Sequence, residues 1–207
     1  MNLIGDVFAE VGRRLADLGV RPGQEDSLTV PGERGDAIFI DPLPLPSGVP
    51  GQADFMVDIT HHLVPWTAFV RDESPDEALT QKPDHFQAVF SDRLYSPFSS
   101  YLPERWEVTL DTRVQVADGL TKGLREALTE TWLPLLPRAE LRALIRDPQR
   151  KGPSFLRNPQ FIDLMCRIED MDRAELRDLV RYFHTREADD PGLGRLARWI
   201  ERYFLTA

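Results

Sequence analysis

The sequence predicts an α+β fold: an N-terminal helix packed on a small antiparallel sheet, followed by a C-terminal helical region. Three observations predict it. Apolar residues step by about one helical turn from Leu3 to Leu18; three short segments rich in β-branched and aromatic residues follow; and the last hundred residues carry mostly helical periodicity. The expected organisation is an α+β unit over 1–148 and a helical extension or subdomain over 149–207.

In the first helix Leu3, Val7, Val11, Leu15 and Leu18 share one face, and Gly19 supplies the stop. "SLTV", "DAIFI" and "ADFMVDITHHL" then read as strands bounded by Pro, Gly and Asp. The connection "DPLPLPSGVPGQ" holds four prolines and is expected to be a stiff loop over 42–50 rather than a central strand. Residues 71–104 lack a clear period and read either as a lid or binding loop or as irregular surface.

"RWEVTLDT" alternates Trp106, Val108 and Leu110 against Arg105, Glu107 and Thr109, the pattern of a strand with one wet side. Val116, Leu120, Leu124, Leu128 and Trp132 then recur every fourth residue, with Pro134 and Pro137 expected to stop that helix. "RAELRALIRD" at 138–147 returns as "RAELRDLVRY" at 173–182. Two copies fall short of the roughly three that a solenoid needs, so both read as independent amphipathic helices. Asp172 with Glu175, and Asp190 with Pro191, mark two further helix starts.

At 207 residues the chain has length enough for a core that needs no staples. Cys166 is its single cysteine, which removes internal disulfides and multi-cysteine metal sites and fits a reducing compartment; lying among apolar residues, it reads as an inert thiol. Asp6, Glu10, Arg13, Arg14 and Asp17 interrupt the N-terminal apolar pattern, so no secretory signal is expected there, and no run reaches the length of a membrane span. The expected setting is the cytoplasm. Of 25 basic residues 22 are arginine, which hints at a GC-rich bacterial genome. A formal charge of -9 disfavours nucleic acid and suits a basic partner.

The residues with most chemistry lie in "DFMVDITHHLVPW". In a strand, Phe55, Val57, Ile59, His61 and Leu63 share one face and Asp54, Met56, Asp58, Thr60 and His62 the other, so the adjacent histidines point apart and cannot share a metal or a proton. Along the polar face Asp58 and His62 are roughly 13 Å apart and Thr60 and His62 about 6.6 Å, beyond direct contact. His61 is expected to be a buried imidazole with a backbone partner. His62 is either an exposed strand-end residue or a group for ligand or acid–base work. No G-x-S-x-G elbow, phosphate loop, dinucleotide fingerprint, H-E-x-x-H or EF-hand loop is present, and the acidic clusters at 72–77 and 187–190 lack calcium-loop spacing.

"ADLGV", "DRLYSPFSSYLPERWEV" with Arg93, Leu94 and Trp106, and "VADGLTKGLREALTETWLPLL" together resemble the bacterial domain of unknown function 4304 over about residues 3–145. The resemblance implies an α+β fold and brings no activity or site residues with it.

Three functional expectations follow. The first is a non-enzymatic interaction module, of the immunity or regulatory kind, whose acidic surface binds a basic protein. The second is a small-molecule-binding protein or enzyme with a pocket between sheet and helices, for which Asp58, His62, His85 and Trp106 are the ligand-binding candidates. The third is a self-associating component or homo-oligomer. Trp199 and Tyr203, one turn apart on the last helix, either close the core or form an exposed pair for a partner. No catalytic residue, metal or cofactor is assigned.

Overall fold

Helix α1 (Leu3–Arg14) starts where the Asn2 side chain accepts a hydrogen bond from the Gly5 amide, and it buries Leu3, Val7, Phe8 and Val11. A short 3₁₀ turn carries the chain to Gly19, whose φ of 79° closes the element. The computed structural model describes residues 2–99, 102–147 and 158–206.

Six antiparallel strands follow: β1 (Arg21–Pro22), β2 (Leu28–Pro31), β3 (Ala37–Leu45), β4 (Ala53–His62), β5 (Phe90–Arg93) and β6 (Trp106–Val108). Their order is β1-β2-β3-β4-β5. The long β4 is the spine. β3 pairs along most of its length on one edge, while β5 takes residues 58–61 and β6 residues 53–55 of the other.

The proline segment departs from expectation. β3 continues through Pro42 and Pro44, which sit opposite Val57 and Phe55. β2 pairs only with residues 37–40 of β3, so the prolines stand where that side of the strand has no neighbour and a missing N–H costs no ladder bond. The loop is therefore confined to residues 46–52. In β6 the expected alternation ends early: Trp106 and Val108 are buried, but the strand stops at Val108 and Leu110 is exposed.

The sheet's two faces differ as strand alternation requires. Phe55, Val57, Ile59 and His61 of β4 join Ile38, Ile40, Leu28, Val30 and Phe90 on one face, covered by α1 and α4 (Arg113–Ala127). Phe8 meets Phe55 edge-on at 6.0 Å between ring centres. The opposite face presents Thr29, Phe39, Asp41, Asp54, Asp58, Thr60 and His62.

Val116, Leu120, Leu124, Leu128 and Trp132 are all buried, as their spacing predicts. The helix does not stop at Pro134. It widens into a π turn over Leu128–Trp132 and runs on as α5 (Leu133–Leu135), which places the proline at the second position of a new segment where no N–H is needed. Between β4 and β5 lie α2 (Val64–Arg71) and the one-turn α3 (Pro75–Ala78). The chain ends in α6 (Arg138–Arg146), α7 (Pro159–Met165), α8 (Arg173–Arg186) and α9 (Pro191–Ile200), with Asp172 and Asp190 capping the last two.

One continuous core runs from Leu3 to Ile200. Buried Arg138 ties its parts together: Nε and Nη2 donate to the two oxygens of Asp36 at 2.6 and 3.0 Å, and Nη1 donates to Glu169. Asp36 also accepts the Val64 amide at 2.9 Å, so the same carboxylate holds the start of α2. Burial disfavours the Arg138 charge, but the bonds and charges of Asp36 and Glu169 outweigh it and raise the guanidinium further. Among the described residues no helix is long and apolar enough to cross a membrane.

Candidate functional site

His62 is the last residue of β4, and its side chain lies on the polar face of the sheet. Strand geometry alone keeps it out of reach of Thr60, yet its ring folds back along the strand and Nε2 lies 3.1 Å from Thr60 Oγ1. The ring also meets Phe39 of β3 edge-on at 5.4 Å. The expected exposed strand end is therefore corrected: His62 is only 4% exposed, and its Nδ1 has no hydrogen-bond partner among the described residues.

What buries His62 is the chain that follows it. Leu63 ends the strand and α2 starts at once with Val64-Pro65, bringing Thr67 close to the strand end. Thr67 is 3% exposed, and its Oγ1 is likewise unpartnered. Arg71, the last residue of α2, then braces an arch formed by residues 79–87: Nη2 donates to the Lys82 carbonyl at 3.0 Å and Nε to Gln87 Oε1 at 2.9 Å. The arch is pinned down on the sheet by Lys82 Nζ, which donates to Asp41 at 2.6 Å, while His85 Nδ1 approaches Asp58 Oδ2 to 3.4 Å without a hydrogen bond.

Beneath the arch lies a cavity of about 480 Å³, lined by Thr29, Phe39, His62, Val64, Thr67, Leu79 and Lys82 among others. Gln24, Thr80, Gln81, Lys82 and Pro83 also line a wider groove of about 1000 Å³ bordered by Asp41, Arg71 and His85. The volume of the inner cavity suits a small organic molecule.

Burial holds the His62 ring well below its ordinary pKa, and the charges of Arg71 and Lys82 act in the same direction. It is a neutral imidazole at pH 7. Its free nitrogen donates or accepts depending on which way the proton lies in the bond to Thr60.

The histidines point to opposite faces, as expected, but His61 departs from expectation. It packs edge-on against Phe90 at 5.0 Å, is 1% exposed, and neither ring nitrogen has a partner. Burial, with the charge of Arg138, takes its pKa down to about 3.

Of the residues singled out from sequence, Asp58, His62 and His85 share the polar face. Asp58 is buried between Arg93 Nε at 2.9 Å and His85, and does not touch His62 through any hydrogen bond. Trp106 lies on the other face, stacked on Phe55 with its indole N–H donating to the Leu94 carbonyl, and plays no part in the cavity. Trp199 takes the core alternative. It is 1% exposed, with its indole donating to the Glu73 carbonyl, and Tyr203 donates to the Asp72 carbonyl. The pair thus holds the turn after α2.

Thr67 and Phe39 were not singled out from the sequence, and the arch lies within residues 71–104, expected there as a lid or binding loop or as irregular surface. The signal for Thr67 was a lone hydroxyl in the apolar run "VPWTAFV". Among the described residues no group of three or more His, Cys, Asp or Glu is placed to hold a metal ion. No protein-family model, curated protein or solved structure matches the chain, so the functional reading rests on its own geometry.

Proposed function

We propose that the protein binds a small molecule in the cavity between the polar face of the sheet, α2 and the arch. One observation carries this reading: His62, buried at the cavity wall, keeps Nδ1 without any protein partner. A polar atom sealed from water without a partner costs about 1–3 kcal/mol, and a ligand that pairs it recovers that cost. Thr67 Oγ1 offers a second such atom, while Phe39, Val64 and Leu79 supply apolar wall. This mixture of apolar lining and a few polar points is the usual make-up of ligand sites. A fragment screen followed by amide NMR tests it. Binders are expected to shift Thr29, His62 and Thr67 in the native protein and to lose affinity in His62→Phe. A screen in which no fragment moves these resonances contradicts the reading.

A salt-sensitive interaction with a basic protein is the second reading, favoured by the net charge of -9. Many carboxylates are already engaged with arginines, as in Asp17 with Arg125, Asp163 with Arg146 and Asp72 with Arg202, which is why the cavity takes precedence. We place the protein in the cytoplasm. Its single cysteine supports this, since it leaves no disulfide within the chain.

A further inference from the structure

We infer that the ligand of this cavity is an uncharged heteroaromatic or aryl amide, which lies against Phe39 and exchanges hydrogen bonds with His62 Nδ1 and Thr67 Oγ1. The inference rests on the cavity reading above and adds the chemical class.

Charge complementarity decides the class. Among the described residues no carboxylate lines the inner cavity, so a cationic ligand meets no counter-charge from them there. The single charged residue in its wall is Lys82, and that ammonium is already bound to Asp41 at 2.6 Å. An anion therefore finds no free positive partner. An ion taken out of water without a partner is strongly disfavoured, whereas a neutral ligand enters without that penalty. Asp58 and Arg93, also on this face, are engaged with each other outside the inner cavity.

Hydrogen bonding narrows the class further. Nδ1 of His62 donates if Thr60 donates to Nε2, and accepts if Nε2 donates to Thr60. The Thr67 hydroxyl both donates and accepts. A carboxamide, or the edge of a nitrogen heterocycle bearing N–H and C=O, presents a donor beside an acceptor and satisfies either arrangement. Neither protein atom touches water as the cavity stands, so contact calls for the small side-chain rotations that commonly accompany binding. The ring of Phe39, half-buried beside His62, supplies an aromatic surface for an aromatic ligand.

Benzamide, benzoate and benzamidinium have nearly the same shape and differ in charge, so titrating each into the full-length protein and following the Thr29, His62 and Thr67 amides isolates the charge preference. Benzamide is expected to bind about ten-fold more tightly than either ion, with an affinity unchanged from about pH 6 to about pH 8 and from about 0.05 to about 0.5 M salt. Thr67→Val, which keeps the side-chain shape, is expected to fold normally and to weaken benzamide by about ten-fold. Preferential binding of benzoate or benzamidinium at these residues overturns the neutral-ligand inference and leaves the cavity reading standing. Binding of none of the three overturns both, and benzamide binding that Thr67→Val leaves unchanged overturns the assigned hydrogen bonds.

Discussion

His61 and His62 show how two neighbouring residues of one type take different roles from strand alternation alone. His61 enters the core against Phe90, and His62 faces the cavity. Both are held neutral, and this fixes how stability responds to acid. The folded pKa of His61, about 3, lies below its ordinary value of 6.5, so the unfolded chain takes up a proton that the folded chain refuses. Stability is complete above about pH 6.5 and declines as the pH falls toward 3, by at most about 1.4 kcal/mol per unit from His61. His62, displaced in the same direction, steepens the decline. Urea unfolding at about pH 7.5, 6 and 5 is expected to show it, and His61→Leu, which removes two unpartnered nitrogens, should flatten the slope. A native protein equally stable at all three pH values contradicts neutral burial. Thr67→Val belongs to the same scale: replacing an unpaired buried hydroxyl by a methyl group should leave stability unchanged or raise it by about 1 kcal/mol in the same unfolding measurement.

Among the elements, the arch over 79–87 decides whether there is a cavity, and its seat includes Gly35. That residue has φ of 83°, and a β-carbon on it would come within 2.1 Å of Leu79 Cδ2. Gly35→Ala should therefore cost about 1–2 kcal/mol and displace Leu79, which chemical denaturation and the Leu79 methyl resonances can measure; unchanged methyl shifts would argue against this seat. The prolines of β3 mark another dependence. They leave the outer side of residues 41–45 without N–H donors at positions 42 and 44, and Pro42→Thr with Pro44→Thr should promote self-association in sedimentation.

Elements with a self-contained pattern were legible in the sequence. The four-residue steps from Val116 to Trp132 needed no neighbour to be recognised, and the alternation of β4 assigned both histidine faces. Features made by distant segments were not. Prolines exclude only the hydrogen-bonded side of a strand, so whether β3 could pass through them depended on where β2 ended. Likewise His62 is buried by α2 and an arch some twenty residues away, held by Arg71 and Lys82 through contacts that leave no period in the sequence.

Across the whole molecule, the sheet, the cavity-forming α2 and the C-terminal helices share the Asp36–Arg138–Glu169 cluster. Arg138→Met would leave Asp36 buried without its cation and should destabilise the protein by about 3–5 kcal/mol in urea unfolding. A loss of less than about 1 kcal/mol would show that the cluster is not a joint. The same architecture fixes α2 from its far end, where Trp199 and Tyr203 bind the carbonyls of Glu73 and Asp72. Both ends of α2, the helix that carries Thr67, are thus fixed. The most direct test of the cavity as a binding site is a crystal structure of the protein soaked with its best-binding fragment. The fragment is expected beneath residues 79–83 with a polar atom within hydrogen-bond distance of His62 Nδ1. A fragment bound elsewhere, with Nδ1 still unpartnered and the cavity unfilled, would contradict it.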